Sequence, residues 1–453
     1  MKIKFCGATG RVTGSCYLLE AEGKKIVIDC GLFQGSSGDR GKNQEPFPFD
    51  PAKIDVVIAT HSHIDHIGRI PKLYRDGFRG EIYSTKPARD LAKIFLEDTL
   101  NLMKGDARRD GPEKMIWMKE DLTQAMNSWI GYDYHEPFFI EDIKVEMLDA
   151  GHILGSAIVR ITAEGKIIIF SGDLGNPPVP ILEDTDFIEK ADYVVMESTY
   201  GDRIHEESEF RTEKLANAMR EIYERKGTLL IPAFAMERTQ ELLYEINALS
   251  LSKKTPDIPV FLDSPLAIKA TDIYARYKNY FDKEAQYLIN SGDDIFDFPG
   301  LFITKTAEES RKIRREKGPK IIIAGSGMST GGRILTHEVN YLPDPRNMIL
   351  FIGFQVKGTL GRRIKEGEKE IRIMGQDVRV EAEVKEISGY SAHADQKKLL
   401  YWLGKMCNTE QNKPKKVFIT HGEPTVSDIF AQEARRQLGI DTIVPKEFEE
   451  IEL

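Results

Sequence analysis

A chain of 453 residues is longer than one ordinary hydrophobic core can organise, so two or three domains are expected. At 41% hydrophobic and 30% charged residues it has the composition of a soluble globular protein. No apolar run approaches the roughly 18 residues needed to span a bilayer, and the start "MKIKFCGATGR" lacks the apolar stretch of a secretion signal. The net charge of −9 weighs against a general nucleic-acid binder, which needs Lys and Arg for phosphates, although a local basic groove escapes that argument. Cys6, Cys16, Cys30 and Cys407 form no CxxC pair, so a reducing compartment, the cytoplasm, is expected.

In chain order, short Val- and Ile-rich runs each end on one polar residue. "KKIVIDCG" leads to Asp29, "IDVVIATHSH" to His61, "KIIIFSGDLG" to Asp173, "ADYVVMESTYG" to Glu197, "GTLLIPAF" to Pro232 and "KKVFITHGE" to His421. Such runs predict strands covered on both faces. Amphipathic segments of helix length lie between several of them, as in "KPARDLAKIFLEDTLNLM" and "EFRTEKLANAMREIYERKG", so an α/β architecture follows. "GKNQEPFPFDPAK" reads as a surface loop. "PKIIIAGSGMSTGGR" and "NMILFIGFQVKGTLGRR" each lead from a buried strand into a Gly-rich loop. The polar residues that follow strands belong at C-terminal sheet edges, where α/β folds bind ligands.

The densest such edge is "HSHIDH". His61 and His63 stand two apart, so an extended backbone directs both imidazoles to one side, while Asp65 and His66 suit the turn that follows. One metal ion can take His61 and His63, and a second Asp65 and His66. Imidazole and carboxylate without thiolate fit zinc first, then manganese or iron. Each half needs further ligands, and three residues qualify: His152 in "DAGHILGSA", Asp173 in "FSGDLG", which is placed to bridge two ions, and His421 in "FITHGE". Asp29 is expected to orient a ligand by hydrogen bonding. His135, His205 and His337 lack the strand-edge context and read as structural or exposed.

These residues resemble the metallo-β-lactamase superfamily, whose pattern is an Asp, then HxHxDH, then His, Asp and His, on an αββα sandwich. Something the size of a domain stands between Asp173 and His421, which resembles the inserted cassette of the β-CASP nucleases. In that resemblance Glu197 in "MESTYG" matches the acidic motif A, His393 in "SGYSAHADQ" the histidine of motif B, and His421 that of motif C. "IPAFAMERTQELL", "LDSPLA", "GSGMSTGGR" and "GFQVKGTLGRR" also look like segments of that group, with Glu237 standing where a glycine is commoner. A histidine at motif C is similar to the RNA-processing members rather than the DNA-repair ones. The nearest likeness is to the endonuclease subunit of the pre-mRNA 3′-end cleavage complex and its stand-alone prokaryotic relatives. The chain stops soon after motif C, without the KH domains of archaeal members or the C-terminal domain of ribonuclease J.

The resemblance implies an α/β fold in which residues 1–205 and 387–453 build the sandwich and residues 206–386 the β-CASP domain. It implies two zinc ions per chain on His61, His63, Asp65, His66, His152, Asp173 and His421. His393 is then the catalytic acid, Glu197 holds it protonated, and Asp65 serves both as ligand and in catalysis. The expected reaction is hydrolysis of RNA phosphodiesters, chiefly endonucleolytic, with 5′-phosphate and 3′-hydroxyl products. "GSGMSTGGR" is not a P-loop, but its amides around Ser326 and Gly327 are expected to form an anion nest for RNA, with a tight structural turn as the competing account. Arg333, Lys357, Arg362 and Arg363 would supply the local positive field. The expected partners are single-stranded RNA and, as in prokaryotic relatives, a second copy in a homodimer, with no membrane. The rivals are a lactone or thioester hydrolase, favoured by the acidic charge, and a scaffold subunit without catalysis.

Overall fold

The Val- and Ile-rich runs are strands, and their alternate residues face two different cores. In the computed structural model, which describes the chain except for residues 36, 206–209, 354, 357 and 410, Ile26 and Ile28 of strand Lys24–Ile28 point one way and Val27 the other. The same split recurs in Tyr193–Glu197, where Val195 joins one core and Val194 and Met196 another. This is the two-residue period of a sheet with both faces covered.

One sheet of seven strands runs in the order Glu450–Glu452, Lys2–Phe5, Tyr17–Ala21, Lys24–Ile28, Val56–Ile58, Glu81–Thr85, Trp129–Tyr132. A second runs Thr442–Ile443, Lys416–Thr420, Tyr193–Glu197, Lys166–Phe170, Ala157–Ala163, Ile143–Asp149, Phe138–Ile140. Their inner faces share a single core that includes Phe5, Ile28, Ile58, Val159, Phe170 and Phe418. Truncating one of these buried side chains to alanine costs about 2–5 kcal/mol. The outer face of the first sheet packs helices Ile70–Arg75, Lys86–Asp110 and Lys119–Asn127, and that of the second packs Gln396–Lys405 and Pro424–Leu438. The layers are therefore αββα, as expected.

Helix Lys86–Asp110 shows why these segments fold as they do. The Thr85 hydroxyl caps it by accepting from the Ala88 amide at 3.3 Å, Pro87 occupies its first turn, and it ends at Gly111 with φ 113°. Its buried positions, Ala88, Leu91, Ala92, Leu96, Leu100 and Met103, recur at helical spacing. The predicted surface loop at 41–53 is a loop, but it also contributes to the core. Phe47 is buried, and the buried Asn43 side chain exchanges two 2.8 Å hydrogen bonds with the backbone of Phe33.

The chain forms two compact units, one of Met1–Pro177, Asp184–Ile204 and His393–Leu453, the other of Pro178–Glu183 and His205–Ala392. The second unit therefore extends past residue 386 to Ala392, and it includes Pro178–Glu183. Contacts within it explain both: Leu182 bridges to Phe281, the Asp282 amide donates to Ile181 O at 2.7 Å, and the Tyr390 hydroxyl bonds the Glu245 carboxylate. Its six-stranded parallel sheet runs Leu301–Ile303, Val260–Leu262, Lys320–Ala324, Thr228–Pro232, Met348–Phe351, Glu383–Glu386. Glu237 has φ 63° and ψ −60° ahead of helix Arg238–Leu251, a left-handed backbone that favours glycine, and the Tyr274 hydroxyl holds its carboxylate at 2.6 Å. This accounts for the glycine commoner at that position.

Candidate metal centre

The seven ligands predicted from sequence meet at one edge of the sandwich. His61, His63, His152 and Asp173 each offer an atom within 4.8 Å of the others, and so do Asp65, His66 and His421. His61 follows strand Val56–Ile58, and His63 caps the helical turn Ile64–Ile67 that carries Asp65 and His66. Asp173 follows strand Lys166–Phe170 through Gly172, whose φ of 54° favours glycine and where a Cβ would sit tightly, 3.0 Å from Ala157 O. His421 follows strand Lys416–Thr420, its amide held on Ala8 O at 2.7 Å.

Asp173 lies between the two groups. Its Oδ2 is 3.4 Å from His61 Nε2 and 3.7 Å from His152 Nε2, and its Oδ1 is 3.4 Å from His66 Nε2 and 3.5 Å from His421 Nδ1. Ring nitrogens crowd one another: His61 Nε2 to His63 Nδ1 is 3.0 Å, His152 Nε2 to His63 Nδ1 is 3.2 Å, and His66 Nε2 to His421 Nε2 is 3.2 Å. Asp173 Oδ1 is buried without a hydrogen-bond partner. Lone pairs brought this close, with a carboxylate oxygen left unsatisfied, fit a cation between them, and a purely N and O donor set fits zinc.

Protonation matches this at His61, His63 and Asp173, whereas His66 carries a proton that ligation would displace. Burial, reinforced by neighbouring histidines, holds His61 well below the usual imidazole range, and burial takes His63 down to about 4, so both stay in the neutral, ligating form. For Asp173, burial works against ionisation, but the surrounding histidines, His421 and His66 foremost, hold it well below the usual carboxylate range. Burial also disfavours the charge on His66, but Asp173 and Asp29 together raise it well above the ordinary value. Asp29 stands as predicted beside His66, its Oδ2 2.7 Å from Nδ1, and is itself held by the Thr60 amide at 2.8 Å and the Thr60 hydroxyl at 2.9 Å.

His393 and Glu197 adjoin this cluster. His393 Nδ1 is 3.2 Å from Glu197 Oε2 and 3.8 Å from Asp173 Oδ2, and its ring lies 4.6 Å from that of His152. Glu197 is fixed in turn, its Oε1 accepting from the Leu174 amide at 2.6 Å. Burial alone would lower His393, but Glu197 and Asp173 push it up to about 9, so the half-buried imidazole carries its proton at neutral pH. Sequence reasoning missed Thr60 and Thr199, whose hydroxyl lies 3.2 Å from His421 Nδ1 and donates to His421 O at 3.1 Å. Their only signal is adjacency, Thr60 preceding His61 and Thr199 lying in "ESTYG".

The residues expected to contact substrate lie in the second unit and are largely occupied there. The Ser326 hydroxyl accepts from the Thr330 amide at 2.9 Å, and Gly327 O accepts from Gln355 Nε2 at 2.9 Å. Arg333 donates to Asp263 and Thr304 O at 2.6 and 2.9 Å, so it serves the fold instead of an open positive field. Arg362 and Arg363 pair with Glu366 and Glu368. Lys357 lies outside the described residues. His337 is buried on Asp263 at 2.6 Å, and exposed His135 lies 3.3 Å from Asp186.

An αββα sandwich with an all-N/O ligand cluster at its edge defines a metal-dependent hydrolase. Residues 9–221 match the description "Metallo-beta-lactamase superfamily", 239–364 "Beta-Casp domain" and 377–445 "Zn-dependent metallo-hydrolase RNA specificity domain". The chain is 38% identical to the ribonuclease TTHA0252 of Thermus thermophilus, covering 93% of each. It is 34% identical to an RNase J-like protein of Methanocaldococcus jannaschii over 98% of this chain and 97% of that one. To the transcription termination factor FttA of the same organism it is 31% identical, over its whole length and 71% of the relative. A crystal structure of a protein of unknown function from Enterococcus faecalis V583 shares the fold, at 12% identity and TM-score 0.56 over 99% of both chains. The chain belongs to the β-CASP group of the metallo-β-lactamase superfamily.

Proposed function

We propose that this chain is a zinc-dependent ribonuclease that hydrolyses phosphodiester bonds of single-stranded RNA, endonucleolytically, leaving 5′-phosphate and 3′-hydroxyl ends. The observation that carries the reading is the His393–Glu197 pair, 3.2 Å apart, at the border of the ligand cluster. A thioester hydrolase, which expels a stable thiolate, has little need of a protonated imidazole held there by a buried carboxylate. The names of two relatives, a ribonuclease and an RNase J-like protein, support the substrate class.

His61, His63, His152 and Asp173 would hold one zinc ion, and Asp65, His66, His421 and Asp173 a second. Zinc bound there makes water acidic enough to attack near neutral pH and draws charge from a phosphate oxygen. The chain's own residues do the rest. Asp29 holds the His66 ring by Nδ1, which leaves Nε2 directed at the cluster. His393 donates its proton to the departing 3′ oxygen, and Glu197, anchored by the Leu174 amide, keeps that imidazole oriented and charged. Direct attack on phosphorus needs no neighbouring 2′-hydroxyl, so RNA selectivity rests on binding. Ser326, Gly327 and Arg362 are the candidate contacts.

A cytoplasmic location and a homodimer accompany this reading; among the described residues no helix is long and apolar enough to cross a membrane. End-group analysis of a labelled RNA digested with the zinc-loaded protein, beside the matching DNA, tests it. Internal cuts with 5′-phosphate ends on RNA support it, and turnover of a thioester with no cleavage of RNA overturns it.

A further inference from the structure

Arg69 closes the motif "HSHIDHIGR", yet among the described residues it pairs with neither the ligand cluster nor a carboxylate. It is 4% exposed, and its Nη2 is buried without a hydrogen-bond partner. Its guanidinium lies over two aromatic faces, 4.4 Å from the ring centre of Phe33 and 5.4 Å from that of Phe47. The neighbouring cations on the Phe33 ring, Arg11 and Lys42, already take Asp39 and Glu447. A buried cation normally demands an acid. Here π faces hold the charge instead.

The polar end of Arg69 explains its position. Nε donates to Gly31 O at 2.6 Å, and the Arg69 amide donates to Cys30 O at 2.8 Å. In the other direction, the amides of Cys30 and Leu32 donate to His66 O and Ile64 O at 2.7 and 2.9 Å. The two segments are pressed together without side chains between them, since a Cβ on Gly31 would lie 1.5 Å from Asp65 O. Asp29, at the head of the same loop, holds the His66 ring. The loop is anchored at its far end too, where Asn43 grips the backbone of Phe33.

We propose that Arg69 is a positioning residue for the metal centre, a cation–π clamp that locks loop Asp29–Phe33 onto the turn carrying Asp65 and His66. The inference rests on reading that cluster as the metal site. A carboxylate in the place of the aromatic rings would supply the missing countercharge, but it would also introduce a competing ligand within a few residues of His66. Stacked rings hold the guanidinium without that competition. The clamp bears chiefly on one half of the centre, because Asp65 and His66 lie inside the clamped turn, whereas in the other half His61 and His63 precede the turn and His152 and Asp173 come from separate loops.

The test is zinc binding to the purified full chain, titrated against a chromophoric chelator, for wild type, Arg69→Met, Arg69→Lys and Phe33→Leu. Methionine fills much of the space against the rings without the Nε donor, and lysine keeps the charge without the planar face. The expected result is wild-type far-ultraviolet circular dichroism with one zinc equivalent bound about tenfold more weakly and the other unchanged. Lysine is expected not to restore it. Wild-type affinity for both equivalents in Arg69→Met, or full rescue by lysine, overturns the clamp. Should Arg69→Met not fold, Phe33→Leu decides, and unchanged zinc affinity there overturns it. A wild-type chain that binds no zinc overturns the metal reading itself.

Discussion

Two buried carboxylates, one in each unit, satisfy themselves in opposite ways. Asp263 receives four 2.6 Å bonds, from the Thr304 hydroxyl and Arg333 on one oxygen and from the Ser310 hydroxyl and His337 on the other. Asp173 is just as buried, but its neighbours are imidazoles at 3.4 to 3.8 Å, and its Oδ1 has no hydrogen bond. The first site is closed, with every lone pair met by a proton that belongs to the fold. The second leaves donors aimed at a common centre from slightly too far away, the arrangement that a cation completes. Both sites contain histidine and aspartate from different elements, His337 of the first lying in helix Ile334–Tyr341 and Asp263 after strand Val260–Leu262. The distances, more than the residue types, separate a fold-stabilising cluster from a metal centre.

The largest expected effect comes from removing the carboxylate that lies between the two ligand groups. Asp173→Asn should lose bound zinc, measured by atomic absorption, and with it all detectable RNA cleavage. Retention of two zinc equivalents would erase the contrast with Asp263. Next, His393→Ala should lower the cleavage rate by about 10²–10⁴-fold while leaving the metal content unchanged. A normal rate would remove His393 from the role of acid. Its pH dependence follows from protonation. His393 must donate a proton, and Glu197 and Asp173 overcome burial to raise it to about 9, so the rate should hold up to that pH and fall above it. Glu197→Gln removes the strongest of those raising charges and should move the alkaline limb of the pH–rate profile to lower pH.

Asp263→Asn sharpens the comparison from the other side. Breaking a buried, fully bonded ion cluster costs about 3–5 kcal/mol, to be read from urea unfolding, with zinc content preserved. Loss of zinc in this variant would mean that the two clusters are not independent. The smallest effect concerns Glu338, a third buried carboxyl, which takes the Ser329 hydroxyl and which burial pushes up to about 7. Its neutral form is the one the fold prefers. Stability should therefore decline as pH rises past the ordinary glutamate value and level off above about 7. Glu338→Gln should flatten that slope in thermal melts taken across the range, and an unchanged slope would show that Glu338 is not its source.

Much of this was legible in sequence because metal ligation needs particular residue types at particular spacings. "HSHIDH" implies two half-sites through local backbone geometry alone: an extended stretch puts His61 and His63 on one side, and a single turn presents Asp65 and His66. Strand runs ending on His61, Asp173, Glu197 and His421 implied loops at C-terminal sheet edges, where α/β folds bind ligands, and the structure divides them between the two sheets of the sandwich. Arg333 shows where such reasoning stops. Its place after a Gly-rich loop is the same for a phosphate contact and for an internal ion pair, and only the approach of Asp263 from another strand decides between them. Arg69 is a similar case, because Phe33 and Phe47 are unremarkable until the fold brings both ring faces to one guanidinium. Sequence alone thus determined the chemistry of the ligands and the α/β pattern, both set by local spacing and hydrophobic period, while the αββα layering followed from the family resemblance. Tertiary structure alone decided which charges are closed off and which remain open, because that depends on distances between residues far apart in the chain.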